Sequence, residues 1–246
     1  TIANGGEGEE GVEIAGTTTN LDANGSLAIG SEESKAGLTI TNGTVNAEDN
    51  KTAVTFENVD STLTLTGTTF NGNIGSGTTN GTVKTSEGEK ATVITGNIET
   101  KSMAVTAGET KIAGTITGAA TIDIGTQPKV ILLSRAASTS SDSENATVAY
   151  SADSKIIGKG VDEKTTVNIG ANGILKAEVD NDGKNLFGNS TDIDVSGAGT
   201  IQFLVSNVTK ENLELQFGTT VNISGISNIL TDSEFYSYDN RNKILR

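Results

Sequence analysis

The chain contains no cysteine, no histidine and no tryptophan, and it has one proline in 246 residues. Without cysteine there is no disulfide, no thiolate nucleophile and no cysteine-ligated zinc. Without histidine the usual base near neutral pH, the commonest transition-metal ligand and every serine–histidine triad are lost. Only Arg135, Arg241 and Arg246 are arginines, and the formal net charge is −14. Nothing supplies the basic patch that neutralises phosphate, so nucleic acid and anionic lipid are poor partners. No run of roughly 18 apolar residues offers a membrane insertion. The opening Thr1-Ile2-Ala3-Asn4-Gly5-Gly6 lacks the basic and apolar regions of a signal peptide, so an exported protein would be seen here as its mature chain or an excised part.

Glycine (30 residues), threonine, serine and asparagine dominate what is present, yet β-branched residues recur regularly, as in an ordered chain. Short alternating stretches follow one another: Ser26–Ile29, Leu38–Thr41, Ala53–Phe56, Leu63–Thr66, Thr92–Ile94, Met103–Thr106, Lys111–Ala113, Thr115–Thr117 and Thr121–Ile124. Later ones are Lys129–Leu133, Thr147–Tyr150, Val167–Ile169, Ile174–Val179, Ile201–Val205, Leu213–Phe217 and Val221–Ile223. Period-2 alternation gives a strand one face for a core and one for solvent, and no segment reads as an amphipathic helix. Asn-Gly pairs at Asn24, Asn42, Asn71, Asn80 and Asn172 punctuate the strands, because both residues tolerate the positive φ of tight turns.

Strands at this spacing suit either the coils of a β-solenoid or a sandwich. Two echoes favour the solenoid: Asn42-Gly43-Thr44-Val45 returns as Asn80-Gly81-Thr82-Val83, and Thr166-Val167-Asn168-Ile169 as Thr220-Val221-Asn222-Ile223. Aromatics are 4% of the chain, and a narrow coil fills with aliphatic side chains where a sandwich core uses large rings. The expected fold is all-β, a parallel β-helix (β-solenoid); the alternative is the β-sandwich domains of a surface-layer or filament subunit. The serine-rich tract 134–145 reads as an exposed loop or linker. It divides a β-rich solenoid region, 1–133, from a second β-rich region, 146–246, whose end, 232–246, gathers Phe235, Tyr236, Tyr238 and two arginines as a cap, a junction or a partner-binding edge. The Gly/Glu-rich start, 4–13, is expected to fray unless paired.

Paired carboxylates are the catalytic device left, and Asp180/Asp182 and Asp192/Asp194 each place two on one side of an extended segment. The aromatic and basic groups that line a sugar groove are scarce, so no catalytic residue is expected. Asp180-Asn181-Asp182-Gly183-Lys184-Asn185 offers spaced oxygen ligands, making Asp180 and Asp182 the candidates for calcium; the misplaced glycine, Lys184 and the missing later glutamate fit a plain Asp-Gly turn better. Sequons at Asn24, Asn42, Asn80, Asn145, Asn189, Asn207 and Asn222 are what a Ser/Thr-rich composition yields by chance. Thr-x-Thr patterns, as in Thr39-Ile40-Thr41 and Thr62–Thr66, would form an ice-binding ladder only in register on consecutive coils.

The words Gly67-Thr68-Thr69-Phe70-Asn71-Gly72-Asn73-Ile74, Ala113-Gly114-Thr115-Ile116-Thr117-Gly118 and Leu27-Ala28-Ile29-Gly30 resemble the passenger regions of bacterial autotransporter adhesins and related surface proteins. The likeness is one of composition over most of the chain. It implies a right-handed parallel β-helix, exported to the cell surface, non-enzymatic, and presenting a β-rich surface to a host or neighbouring-cell protein or glycan, or to copies of itself. The C-terminal membrane barrel of that family is not recognisable in this sequence. A surface-layer or filament subunit is similar in being acidic, free of cysteine and rich in Thr, Ala and Gly, with calcium between subunits. A polysaccharide-active β-helix enzyme is the third expectation.

Overall fold

Alternation of period 2 leaves each strand with one apolar row, and the protein buries these rows by stacking strands of the same direction on top of one another. The computed structural model describes residues 12–21, 25–47, 51–77, 79–132, 156–159, 163–183, 185, 192–206, 208–215, 220–239 and 241–246. Among them no helix forms.

The chain winds in coils of up to three strands. The first holds β1 (Val12–Ala15), β2 (Thr18–Asn20) and β3 (Leu27–Ile29); the second β4 (Gly37–Thr41), β5 (Thr44–Asn46) and β6 (Thr52–Phe56). The third holds β7 (Thr62–Thr66), β8 (Thr69–Asn71) and β9 (Asn73–Ile74); the fourth β10 (Thr82–Ser86), β11 (Thr92–Ile94) and β12 (Ile98–Glu99). Next come β13 (Ser102–Ala107), β14 (Glu109–Ile112) and β15 (Ile116–Thr117), then β16 (Thr121–Ile124) with β17 (Lys129–Leu132), and β18 (Thr165–Ile169) with β19 (Ile174–Glu178). The last coils use long strands, β20 (Ile193–Leu204) and β22 (Val221–Thr231), and β21 (Leu213–Glu214), β23 (Tyr238–Asp239) and β24 (Ile244–Leu245) form a small separate sheet.

Three faces result. The first stacks β1, β4, β7, β10, β13, β16, β18 and the start of β20; the second stacks β2, β5, β8, β11, β14, β17, β19 and the end of β20; the third stacks β3, β6, β9, β12 and β15. β20 bends through the corner, at Gly197 with φ +122°, and so joins the first two faces into one 16-stranded sheet. Every pairing in these stacks is parallel. The fold is therefore the all-β parallel stack of a β-solenoid. An antiparallel sandwich, the alternative, would pair its strands the other way.

Inward columns make the core, among them Ile40, Leu65, Thr85, Val105, Ile124 and Ile169 on the first face and Val130, Leu175 and Ile201 on the second. Leu38, Leu63, Val83, Met103, Ile122, Val167 and Val195 lie directly over one another on the first face. Val45, Phe70, Ile94, Ile112, Leu132, Ala177 and Phe203 do so on the second, and Val54, Ile74, Ile98, Ile116 and Ile156 on the third. All are buried. At about 1.5–3 kcal/mol for each large apolar side chain removed from water, these columns carry most of the stabilisation.

Coil length varies while register holds. Stacked partners lie 26 residues apart at Asn20/Asn46, 20 at Thr66/Ser86, 28 at Asn168/Ser196 and 45 at Asp123/Asn168. The longest interval includes 133–155, so the serine-rich tract and the expected strand Thr147–Tyr150 lie outside the described residues; β18 and β19 stack directly on β16 and β17.

The corners are built from residues small or polar enough for backbones to approach. A Cβ on Gly96 would stand 2.1 Å from the Gly72 carbonyl oxygen, and one on Gly114 would stand 2.0 Å from that of Gly96. Between the first and second faces Thr68, Thr85, Thr92 and Thr110 are buried. The hydroxyl of Thr68 donates to the Ile40 carbonyl (2.8 Å), that of Thr92 to the Ser86 carbonyl (2.6 Å), and those of Thr85 and Thr110 meet at 2.9 Å. The Ser86 carbonyl also accepts the Gly67 N–H at 3.1 Å, so the corner hydroxyls satisfy their own buried polarity on backbone carbonyls and on one another. Asn42 and Asn172 do adopt positive φ, at 51° and 61°, but as corners between parallel strands instead of hairpin tips.

Candidate functional surfaces

The outward residues of the first face form three columns. Thr62, Thr82, Ser102, Thr121 and Thr166 continue one another from coil to coil, with the Thr82 and Ser102 hydroxyls 3.0 Å apart. Beside them run Thr39, Thr64, Lys84, Ala104, Asp123, Asn168 and Ser196, and then Thr41, Thr66 and Ser86. The result is a surface of half-buried hydroxyls and methyls whose middle column also carries exposed Lys84, Asp123 and Asn168. Thr39/Thr41 and Thr64/Thr66 are in register on two consecutive coils, and Lys84 then interrupts the middle column.

On the second face the outward column is Thr44, Thr69, Val93, Lys111, Ile131, Lys176, Gln202 and Leu230. Apolar and lysine positions alternate in it, and the Lys111 ammonium lies 3.2 Å from the Glu109 carboxylate. Along its upper edge Asn46 donates to the Asn20 side chain (2.9 Å) and Asn71 to Asn46 (2.8 Å), an asparagine ladder in which each amide gives to the coil below and accepts from the coil above. The sequence did carry a signal for it: Thr18-Thr19-Asn20, Thr44-Val45-Asn46 and Thr69-Phe70-Asn71 repeat Thr-x-Asn once per coil.

Asp180 and Asp182 both sit exposed in the turn after β19. The Asp180 side chain accepts the Asp182 backbone N–H at 2.9 Å, its carbonyl accepts that of Gly183 at 3.1 Å, and the Asp182 carboxylate lies 3.8 Å from the Lys210 ammonium. This is the geometry of an Asp-Gly turn with a lysine facing it. Among the described residues no group of three or more ligating side chains stands together for a metal. The second carboxylate pair is split by burial: Asp192 is buried at positive φ (56°) just before β20, whereas Asp194 turns outward with one oxygen 3.6 Å from Lys164.

The C-terminal segment changes architecture. β21 pairs with β24 and β23 with β24, all antiparallel. The Tyr238 ring lies 5.5 Å from that of Phe203, Leu245 is fully buried, and the Tyr236 hydroxyl donates to the Val208 carbonyl at 3.1 Å. Burial pushes the Tyr238 phenol up to about 12, with the neighbouring Asp239 carboxylate adding to the shift. The phenol oxygen is buried without a partner among the described residues. Asp239 itself is held below its ordinary range by hydrogen bonds from the Asn242 side chain and backbone and the Arg241 N–H, and by the Arg246 guanidinium 2.7 Å away.

Comparison with protein-family models, with curated proteins and with solved structures finds no match to this chain.

Proposed function

We propose that the chain is a non-enzymatic passenger segment of a bacterial surface adhesin, acting outside the cell by presenting its flat lateral faces to a host or neighbouring-cell protein or glycan, or to a copy of itself. The observation that carries this reading is the first face, where hydroxyl columns continue in register over coils of very different length. Backbone ladders run along the stack, so the faces are held by hydrogen bonds between coils and by the aliphatic columns behind them. The uncharged column Thr62, Thr82, Ser102, Thr121 and Thr166, on a chain of net charge −14, offers a partner apposition without like-charge repulsion. The absence of cysteine and histidine fits a protein whose usefulness lies in shape.

The test is display of the chain on a non-adherent bacterium through an unrelated outer-membrane anchor, scoring attachment to host cells, to glycan-coated surfaces and between bacteria. Attachment should rise over the anchor alone. It should fall when outward threonines of one column, Thr62, Thr82 and Thr121, are changed to lysine, with the spectrum of the folded protein unchanged. Equal attachment by anchor and displayed chain would remove the reading.

A further inference from the structure

An asparagine followed by glycine is open to a reaction that needs no enzyme. The glycine nitrogen attacks the asparagine side-chain carbonyl, and with no Cβ on the glycine nothing hinders the approach. Four such pairs, beginning at Asn42, Asn71, Asn80 and Asn172, lie within the described residues, and the fold treats them unequally. The Asn71 amide donates to the Asn46 side chain at 2.8 Å and accepts the Thr95 hydroxyl at 3.3 Å. The Asn80 amide donates to the Gly77 carbonyl (3.2 Å) and the Glu99 carboxylate (3.3 Å), and its oxygen is buried. The Asn42 oxygen accepts the Glu89 N–H at 3.0 Å and is closed in by Gly67 and Gly88, where a Cβ would stand 2.4 and 2.3 Å from it.

Asn172 has none of these side-chain restraints. It lies between β18 and β19 in the turn Gly170-Ala171-Asn172-Gly173, whose two central residues are exposed. Its side chain makes no hydrogen bond among the described residues. Asn42 shares its left-handed backbone, with φ 51° against 61° for Asn172, so what separates these two is how the side chain is held. The restraint that remains at Asn172 is the turn bond from the Gly173 N–H to the Gly170 carbonyl, 2.8 Å. Local opening of that turn frees the nitrogen without disturbing the strands on either side.

We infer that Asn172 is a site of spontaneous deamidation in the folded protein, and that the fold protects Asn42, Asn71 and Asn80. The Gly173 nitrogen gives up its proton and bonds to Cγ of Asn172. The side-chain nitrogen leaves as ammonia, taking that proton, and a succinimide ring remains. Water then opens the ring at either carbonyl, leaving aspartate or isoaspartate at position 172. Both products add a negative charge, and isoaspartate also lengthens the backbone by a methylene. Because β18 is fixed on β16 and β19 on β17, the added length has to be taken up in the corner between them.

The test is a time course on the full chain at mildly alkaline pH, folded in buffer and in parallel unfolded in urea. Peptide mass mapping, with chromatographic separation of isoaspartate, follows each of the four pairs. Unfolded, they should convert at comparable rates, because each is then an Asn-Gly pair in an open chain. Folded, Asn172 should convert roughly tenfold faster than Asn71, which gives up two side-chain hydrogen bonds and a bond from the Ala47 N–H where Asn172 gives up one turn bond. Conversion of Asn42, Asn71 or Asn80 in the folded protein at the rate of Asn172 or above would overturn the inference. So would an Asn172 that stays intact when folded while the unfolded chain converts.

Discussion

At the scale of residues the protein is decided at its corners more than in its strands. Aliphatic positions in the columns accept one another's shapes, and a Leu, Val or Met at the same level of the first face serves equally. The corner glycines have no such latitude. Gly96 sits against the Gly72 carbonyl, where a Cβ would be only 2.1 Å from the oxygen and 2.3 Å from the carbon, both backbone atoms. Gly96→Ala therefore forces two stacked coils apart, and chemical denaturation should show a loss of about 1–3 kcal/mol. A substitution without measurable cost would mean that the corner relaxes freely. Gly72 was visible in the sequence as half of an Asn-Gly turn and Gly96 was not, and the stacking of one on the other was hidden because the neighbour lies a whole coil away.

At the scale of elements, the alternating segments were legible and their partners were not. Thr92–Ile94 and Thr121–Ile124 end where the alternation says, and Leu63–Thr66 gains one residue as β7. The short strands β2, β5, β8 and β12 were missed since two or three residues give no period to read. The first half of β20 and the second half of β22 were hidden by Gly197, Gly199 and Gly225, which look like turn signals but serve as bends within continuous strands. The echoes that suggested a solenoid are not coil equivalents: Thr44-Val45 lies on the second face and Thr82-Val83 on the first, while Thr166 stacks through Asp194 onto Asn222, two residues beyond Thr220. The true repeat, Thr-x-Asn, was too short to stand out in a chain so rich in both letters. Of the candidate site residues, the Asp180–Asp182 turn was legible as a turn from its glycine, whereas the separation of Asp192 from Asp194 depended on burial that the sequence does not show.

The C-terminal sheet carries a pH prediction of its own. Tyr238 titrates near 10 in an unfolded chain and at about 12 when packed on Phe203. Its contribution to stability is complete below pH 10 and is lost as pH rises from 10 toward 12, because the unfolded state gives up the proton first. Alkaline titration followed by tyrosinate absorbance should show this residue ionising last, together with loss of the β23–β24 pairing. Tyr238→Phe keeps the ring and should remove that dependence; an unchanged alkaline stability profile in the variant would contradict it.

At the scale of the whole molecule, each coil contacts the coils on either side of it, so stability is close to a sum of neighbour terms. The coils from β7 to β16 have fully buried columns, while β1 is largely exposed, with Val12 at 42%. Hydrogen exchange should therefore be slowest in β7, β10 and β13 and fastest in β1 and β2, in a graded profile. A single uniform protection level across all strands would show that the stack opens as one unit.

The direct contact between Asp123 and Asn168, 45 residues apart yet neighbours in the ladder, has a consequence for how such a chain changes over generations. Inserted sequence that leaves and re-enters at one corner shifts nothing above or below it, so insertions and deletions there act as local events. Between those two residues β17 is itself held in the ladder, so drift is confined to sequence outside the paired strands, where new decoration can be acquired without rebuilding the stack that carries it.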